Sequence, residues 1–203
     1  MIAIVDYGVG NLFSLRSSLA HLGLEAVVTA DAGVIRAADR VILPGVGAFA
    51  DAKAKLEATG LVPVICAEAE KKPLLGICLG MQLLFETSYE YGEHAGLGLI
   101  HGDVCPLAAD LTDKSLKVPQ IGWNALHFVR EDPLFASVRE GECVYYVHSY
   151  YAKHCEESTL AVSDYSIPVT GAVRSGYVYG TQFHPEKSGD TGLRILKAFS
   201  ELK

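Results

Sequence analysis

The sequence predicts an α/β fold: a largely parallel central sheet with antiparallel additions and helices on both faces. Two observations carry that expectation. In the first half, short and continuously apolar runs alternate with helical patterns, and strands that are apolar at every residue are those buried on both faces of a parallel sheet. In the second half, strand patterns follow one another with few helices between them, and antiparallel strands need no crossover helix to join them.

The elements follow in order. Ile2 to Val5 is a β-branched run that ends in the glycine-rich loop Asp6-Tyr7-Gly8-Val9-Gly10-Asn11. Leu12, Leu15, Leu19 and Leu22 then recur at helical spacing, and Gly23 stands where a helix C-terminus stops. Ala26 to Val28 reads as a second strand and Arg40 to Leu43 as a third, cut off by Pro44-Gly45-Val46-Gly47. Ala50 to Glu57 and Leu61 to Glu70 read as helices, Leu74 to Ile77 as a fourth strand, and Cys78 to Glu86 as a helix. Strand patterns then occupy Gly98 to Val104, Val118 to Gly122, Leu126 to Val129, Val144 to His148, Thr159 to Ser163, Val169 to Val173 and Val178 to Phe183. Leu193 to Leu202 reads as a closing helix. With no internal repeat, low-complexity stretch or linker, one domain is expected over residues 1–203.

Composition narrows the function classes. The 203 residues are 50% hydrophobic, enough to bury a good core. A net charge of −7 disfavours nucleic-acid binding, which needs clustered basic charge. The N-terminal Met-Ile-Ala-Ile-Val-Asp is too short and lacks the basic flank of a signal peptide, and no uncharged stretch approaches membrane-spanning length. A soluble cytoplasmic protein is expected. Cys66, Cys78, Cys105, Cys143 and Cys155 are odd in number and lack the close pairing of a disulfide or zinc framework. A reducing compartment fits, so each thiol is either core filler or a nucleophile.

Local context singles out Cys78. In Pro73-Leu74-Leu75-Gly76-Ile77-Cys78-Leu79-Gly80-Met81-Gln82 an apolar strand enters a Gly-x-Cys-x-Gly turn and leaves as a helix. This is the cysteine form of a nucleophile elbow: flanking glycines clear space around the nucleophile, and helix N–H groups favour the reactive thiolate. A buried core cysteine is the bland alternative for this segment alone. A second feature is Gly180-Thr181-Gln182-Phe183-His184-Pro185-Glu186-Lys187. There proline ends a strand and lets His184 and Glu186 project from one side, as a base with an orienting acid. The third is Pro44-Gly45-Val46-Gly47, a strand-end turn whose N–H groups, with that of Leu79, could stabilise an oxyanion. Parallel strands end along one edge, where ligands bind. Nucleophile, base and oxyanion donors are therefore expected together.

Other motifs exclude more than they assign. Gly8-Val9-Gly10 lacks the third glycine of a dinucleotide fingerprint, so no nucleotide cofactor is expected. The carboxylates show no metal-ligand spacing and His148 and His154 lack ligand companions, so no metal is expected either.

These residues resemble the class I (triad-type) glutamine amidotransferases, and the resemblance covers essentially the whole chain. The elbow and the His-Pro-Glu turn are shared across that family. Asp6-Tyr7-Gly8-Val9-Gly10-Asn11, Gly122-Trp123-Asn124, Tyr145-Tyr146-Val147-His148-Ser149-Tyr150 and Lys187-Ser188 are more particular to its glutaminase subunits of histidine biosynthesis. The resemblance implies Cys78 as nucleophile, His184 as acid and base, and Glu186 as its orienter. It implies Val46 and Leu79 as backbone oxyanion donors, and Gly45, Gln82, Glu90, Ser149 and Tyr150 as holding the glutamine head group. Asn11, Trp123, Tyr145 and Lys187 would lie at the partner interface, where ammonia leaves. Gln120 stands where a histidine is common, which leaves any role of that histidine open here. The implied activity is glutamine hydrolysis through a cysteinyl thioester, with no cofactor. The implied partner is a (β/α)₈ cyclase subunit in a heterodimer, which uses the ammonia to form imidazole glycerol phosphate and an aminoimidazole carboxamide ribotide. Another acceptor synthase, an inactive scaffold and a cysteine peptidase or esterase are the competing readings.

Overall fold

A computed structural model describes residues 1–203. The first half has the expected alternation: β1 (Ile2–Val5), α1 (Leu12–His21), β2 (Ala26–Thr29), α2 (Ala32–Ala37), β3 (Arg40–Leu43), α3 (Phe49–Ala58), α4 (Val62–Ala69) and β4 (Leu74–Ile77). α2 went unread in the sequence because it is short. Its one local signal is Asp31, whose carboxylate accepts from Val34 N at 2.9 Å and caps the helix.

The helix expected over Cys78 to Glu86 is a single turn, α5 (Leu79–Gln82), and β5 (Phe85–Ser88) begins almost at once. The cause is a pairing made by the carbonyls of residues 83–85. Leu83 O accepts from Leu97 N, Leu84 O from Leu99 N and Ile100 N, and Phe85 O from Gly98 N. The returning segment thus holds residues 83–85 by their carbonyls in an extended pairing, out of line with the helix. The remaining elements are β6 (His94–Ala95), β7 (Ile100–Pro106), α6 (Leu107–Asp110), β8 (Gln120–Ala125), β9 (His127–Phe128), β10 (Cys143–His148), β11 (Tyr150–Lys153), β12 (Thr159–Asp164), β13 (Pro168–Ser175), β14 (Val178–Thr181) and α7 (Gly189–Glu201).

The main sheet has eight strands in the order β2-β1-β3-β4-β14-β13-β12-β9. β2, β1, β3, β4 and β14 pair in parallel, while β13, β12 and β9 extend the sheet antiparallel. The other strands stay apart, as a β8–β10 ribbon and a four-stranded β11-β7-β5-β6 sheet.

Alternating side chains of the central strands feed two apolar cores of similar size. Ala3, Val5, Val41, Leu43 and Leu74 face α2, α3 and α4 through Ile35, Phe49, Leu56 and Ile65. Ile2, Ile4, Ile42, Leu75 and Ile77 face α1 and α7 through Leu15, Leu19, Ile195, Leu196 and Phe199. Helices therefore cover both faces, as a parallel sheet requires. The adjacent parallel strands β3, β4 and β14 all end on one edge.

Candidate active site

β4 delivers Cys78 to that edge in a strained conformation, φ 55° and ψ −113°. A non-glycine residue holds positive φ only where its surroundings force it. Here the forcing is visible. A Cβ on Gly80 would lie 1.9 Å from Leu43 O, and one on Gly76 would lie 2.7 Å from Gly80 O and Met81 N. The elbow glycines thus let the turn close against β3 and back on itself. Cys78 N also donates to Thr181 O at 2.7 Å, tying the elbow to β14.

Beyond β14 the chain reaches His184 and then the 3₁₀ turn Pro185–Lys187. His184 Nδ1 lies 2.8 Å from Glu186 Oε1, and both side chains are buried. Backbone bonds fix the ring's position: His184 N donates to Tyr145 O, and Ser188 Oγ donates to His184 O. Burial pulls the imidazole's pKa down, but its hydrogen bonds and charge interactions with Cys78 and Glu186 outweigh that and raise it to about 9.

A second buried histidine shares the cavity. His148 Nδ1 bonds to Tyr150 O at 2.9 Å, and its Nε2 has no partner. Burial, only partly countered by that bond and helped by the charge of His184, lowers its pKa to about 4. His148 therefore stays neutral, with Nδ1 as the proton-bearing nitrogen.

Pro44-Gly45-Val46-Gly47 follows β3 directly. Gly45 is buried against the elbow, where a Cβ would meet Gly80 N at 2.5 Å; Val46 is 40% exposed. Val46, Cys78, Leu79, Gln82, Glu90, Ser149, Tyr150, His184 and Lys187 together line a cavity of about 370 Å³. Gly45 packs beneath this cavity, and Glu186 stands behind His184. The Glu90 carboxylate accepts from Phe49 N, at the first turn of α3.

Asn11, Trp123 and Tyr145 do not line the cavity. Asn11 Oδ1 accepts from Ser14 N and caps α1. Trp123 and Tyr145 pair across the β8–β10 ribbon with ring centroids 5.9 Å apart, on the face opposite His148, and Trp123 is 55% exposed. Gln120 is the cross-strand partner of His148 and is fully buried, its Nε2 donating to Asn124 Oδ1.

Sequence reasoning missed one side chain that organises the cavity. Gln182 Nε2 donates to Cys78 Sγ at 3.7 Å, and its Oε1 accepts from Gln82 Nε2 at 3.0 Å. The same Gln82 nitrogen donates to Tyr150 O, which His148 also meets. The signal for Gln182 was its place two residues before His184, the spacing that puts strand side chains on one face.

A second cavity, of about 310 Å³, lies beside Lys153 and Cys155. The Cys155 thiol meets only the Thr159 and Thr170 hydroxyls, and burial pushes its pKa up, so it lacks an activating base. No cluster of three or more His, Cys, Asp or Glu side chains is disposed to hold a metal ion.

Residues 3–201 match the family model described as glutamine amidotransferase class-I. The chain belongs to that family. Relatives named imidazole glycerol phosphate synthase subunit HisH match across its length. That of Lacticaseibacillus casei is 51% identical, covering 100% of this chain and 96% of its own. That of Bacillus cereus is 50% identical over 98% and 93%, and that of Wolinella succinogenes 46% identical over 100% of each. Among solved structures, PurLQS from Thermotoga maritima superposes with a TM-score of 0.75 at 19% identity, covering 98% of this chain and 97% of that one. A crystal structure described as glutamine amidotransferase gives 0.74 at 19% identity over 98% and 100%. These two likenesses concern the fold, which is the class I amidotransferase architecture that the sequence led us to expect.

Proposed function

We infer that the chain is the glutaminase subunit of an imidazole glycerol phosphate synthase, a single-domain cytoplasmic enzyme that works docked to a (β/α)₈ cyclase. One observation carries the chemistry: a cysteine on a strained elbow shares a cavity with a buried histidine that a carboxylate holds at 2.8 Å. The relatives at about half identity over the full length support the choice of acceptor.

The steps follow from the roles of these groups. The Cys78 proton passes to His184 Nε2, since Nδ1 faces Glu186. The thiolate attacks the side-chain amide carbon of glutamine, and the oxyanion that forms is held by the N–H groups of Val46 and Leu79. His184 returns the proton to the departing nitrogen, the C–N bond breaks, and ammonia leaves a glutamyl thioester. His184 then takes a proton from water as the water attacks the thioester, and glutamate departs as the proton returns to sulfur. Gln82 and His148 hold the Tyr150 carbonyl, so the Ser149–Tyr150 backbone is set to receive the amino-acid head group alongside Glu90.

Ammonia released to water is protonated and loses its nucleophilicity, so productive use requires a docked acceptor. Phe13, Ile121 and Trp123 leave apolar surface exposed on α1 and the β8–β10 ribbon, which supports a partner-facing surface there. Asn11, Tyr145 and Lys187 flank it in this reading.

The test is reconstitution. The purified chain and a (β/α)₈ cyclase should together make imidazole glycerol phosphate from glutamine, whereas the cyclase alone should do so only with an ammonium salt. Glutamine-dependent product only with a pyridoxal phosphate, anthranilate or GMP synthase partner would overturn the assignment.

A further inference from the structure

The loop after β1 touches the site through a residue that none of the roles above uses. β1 and β3 run parallel with Ile4 opposite Ile42, so Tyr7 and Pro44 leave the sheet side by side. Tyr7 is 4% exposed, and its hydroxyl donates a 2.6 Å hydrogen bond to the Pro44 carbonyl. Burial first, and the nearby Cys78 second, push its ionisation well above the ordinary phenol range. The hydroxyl therefore remains a donor throughout the working pH range. Gly10, from the same loop, closes on Pro44 from another side: a Cβ there would stand 2.9 Å from Pro44 Cβ.

The residue so gripped begins the segment that carries the Val46 N–H. Gly45 comes next, pressed on the backbone of the elbow. Gly45, Val46, Gly47 and Ala48 donate no backbone–backbone hydrogen bond. Glu90 then holds Phe49 N at the start of α3. The segment is thus pinned at both ends and donates no backbone hydrogen bond between them, so the direction of the Val46 N–H depends on where the pins hold it.

We propose that Tyr7 is a positioning residue for the oxyanion hole: its bond to the Pro44 carbonyl sets the plane from which the Val46 N–H is aimed. This rests on the glutaminase reading above. A donor aimed at an oxyanion acts on the transition state more than on bound glutamine. Loss of the tether should therefore lower kcat and leave KM nearly alone. Alkylation of the Cys78 thiol develops no oxyanion and should not change.

The experiment compares Tyr7→Phe with wild type, each in complex with the cyclase. Expected is a fall in glutamine-hydrolysis kcat of about tenfold to a hundredfold, with KM held within about twofold. The rate of iodoacetamide labelling at Cys78, read by peptide mass spectrometry, should match wild type. Unchanged kcat would overturn the proposal. So would a labelling rate that changes along with turnover, because Tyr7 would then act on the thiol–imidazole pair or on folding. A wild-type complex unable to hydrolyse glutamine would sink the functional reading and this proposal with it.

Discussion

His184 and His148 stand in the same cavity, both nearly excluded from solvent, yet one is driven up to a pKa of about 9 and the other down to about 4. Burial lowers both, since it penalises the charged imidazolium. What separates them is the chemistry at their ring nitrogens. His184 lies between a carboxylate and a thiol that can carry negative charge. His148 meets a neutral carbonyl on one side and nothing on the other. At similar depth the same side chain is held as the imidazolium in one place and as a neutral donor in the other.

The largest way to break that contrast is to remove the thiol. Cys78→Ala should cut glutamine-dependent synthesis by on the order of 10⁴-fold or more, while the complex still makes product from added ammonia. Steady-state rates with the two nitrogen sources check this.

Next in size is Glu186→Gln, which takes away the carboxylate partner and leaves His184 closer to the condition of His148. Turnover should fall by roughly a hundredfold or more. The alkaline limb of the pH–rate profile, set by loss of the imidazolium near 9 in wild type, should move to lower pH because a raising influence is gone. A limb that stayed in place would detach it from His184.

The smallest effect sharpens the other side of the comparison. The folded-state pKa of His148 lies below the unfolded value, so its contribution to stability is present above pH ~6.5 and is lost as pH falls toward 4. His148→Asn should flatten the acid limb of urea-unfolding stability by up to about 3 kcal/mol. For His184 the sign reverses: its folded pKa is raised, so its contribution is full below pH ~6.5 and declines as pH rises through 9.

Legibility in the sequence follows how locally a feature is determined. Cys78, His184 and Glu186 lie in short patterns whose backbone demands are local, and their neighbours announced them. The early parallel strands were equally plain, above all β1 and β4, which are buried on both faces and carry no polar residue. Residues 83–86 misled because their carbonyls are claimed by residues 96–100, ten or more positions away. β11 was missed because the chain changes partners at Ser149, from the β8 ribbon to β7. Gln182 escaped because its partner is Gln82, 100 residues distant, a contact that no local pattern records.

The place of β14 has a consequence for the making of the protein. It is the last strand in the chain, yet it sits inside the sheet between β4 and β13, and it supplies both the carbonyl that ties down Cys78 N and the lead into His184. During synthesis from the N-terminus, the thiol is made more than 100 residues before the imidazole that shares its cavity. A nascent chain therefore carries the cysteine without the histidine and carboxylate that complete its cavity, and the site is assembled only after residue 186 has been made.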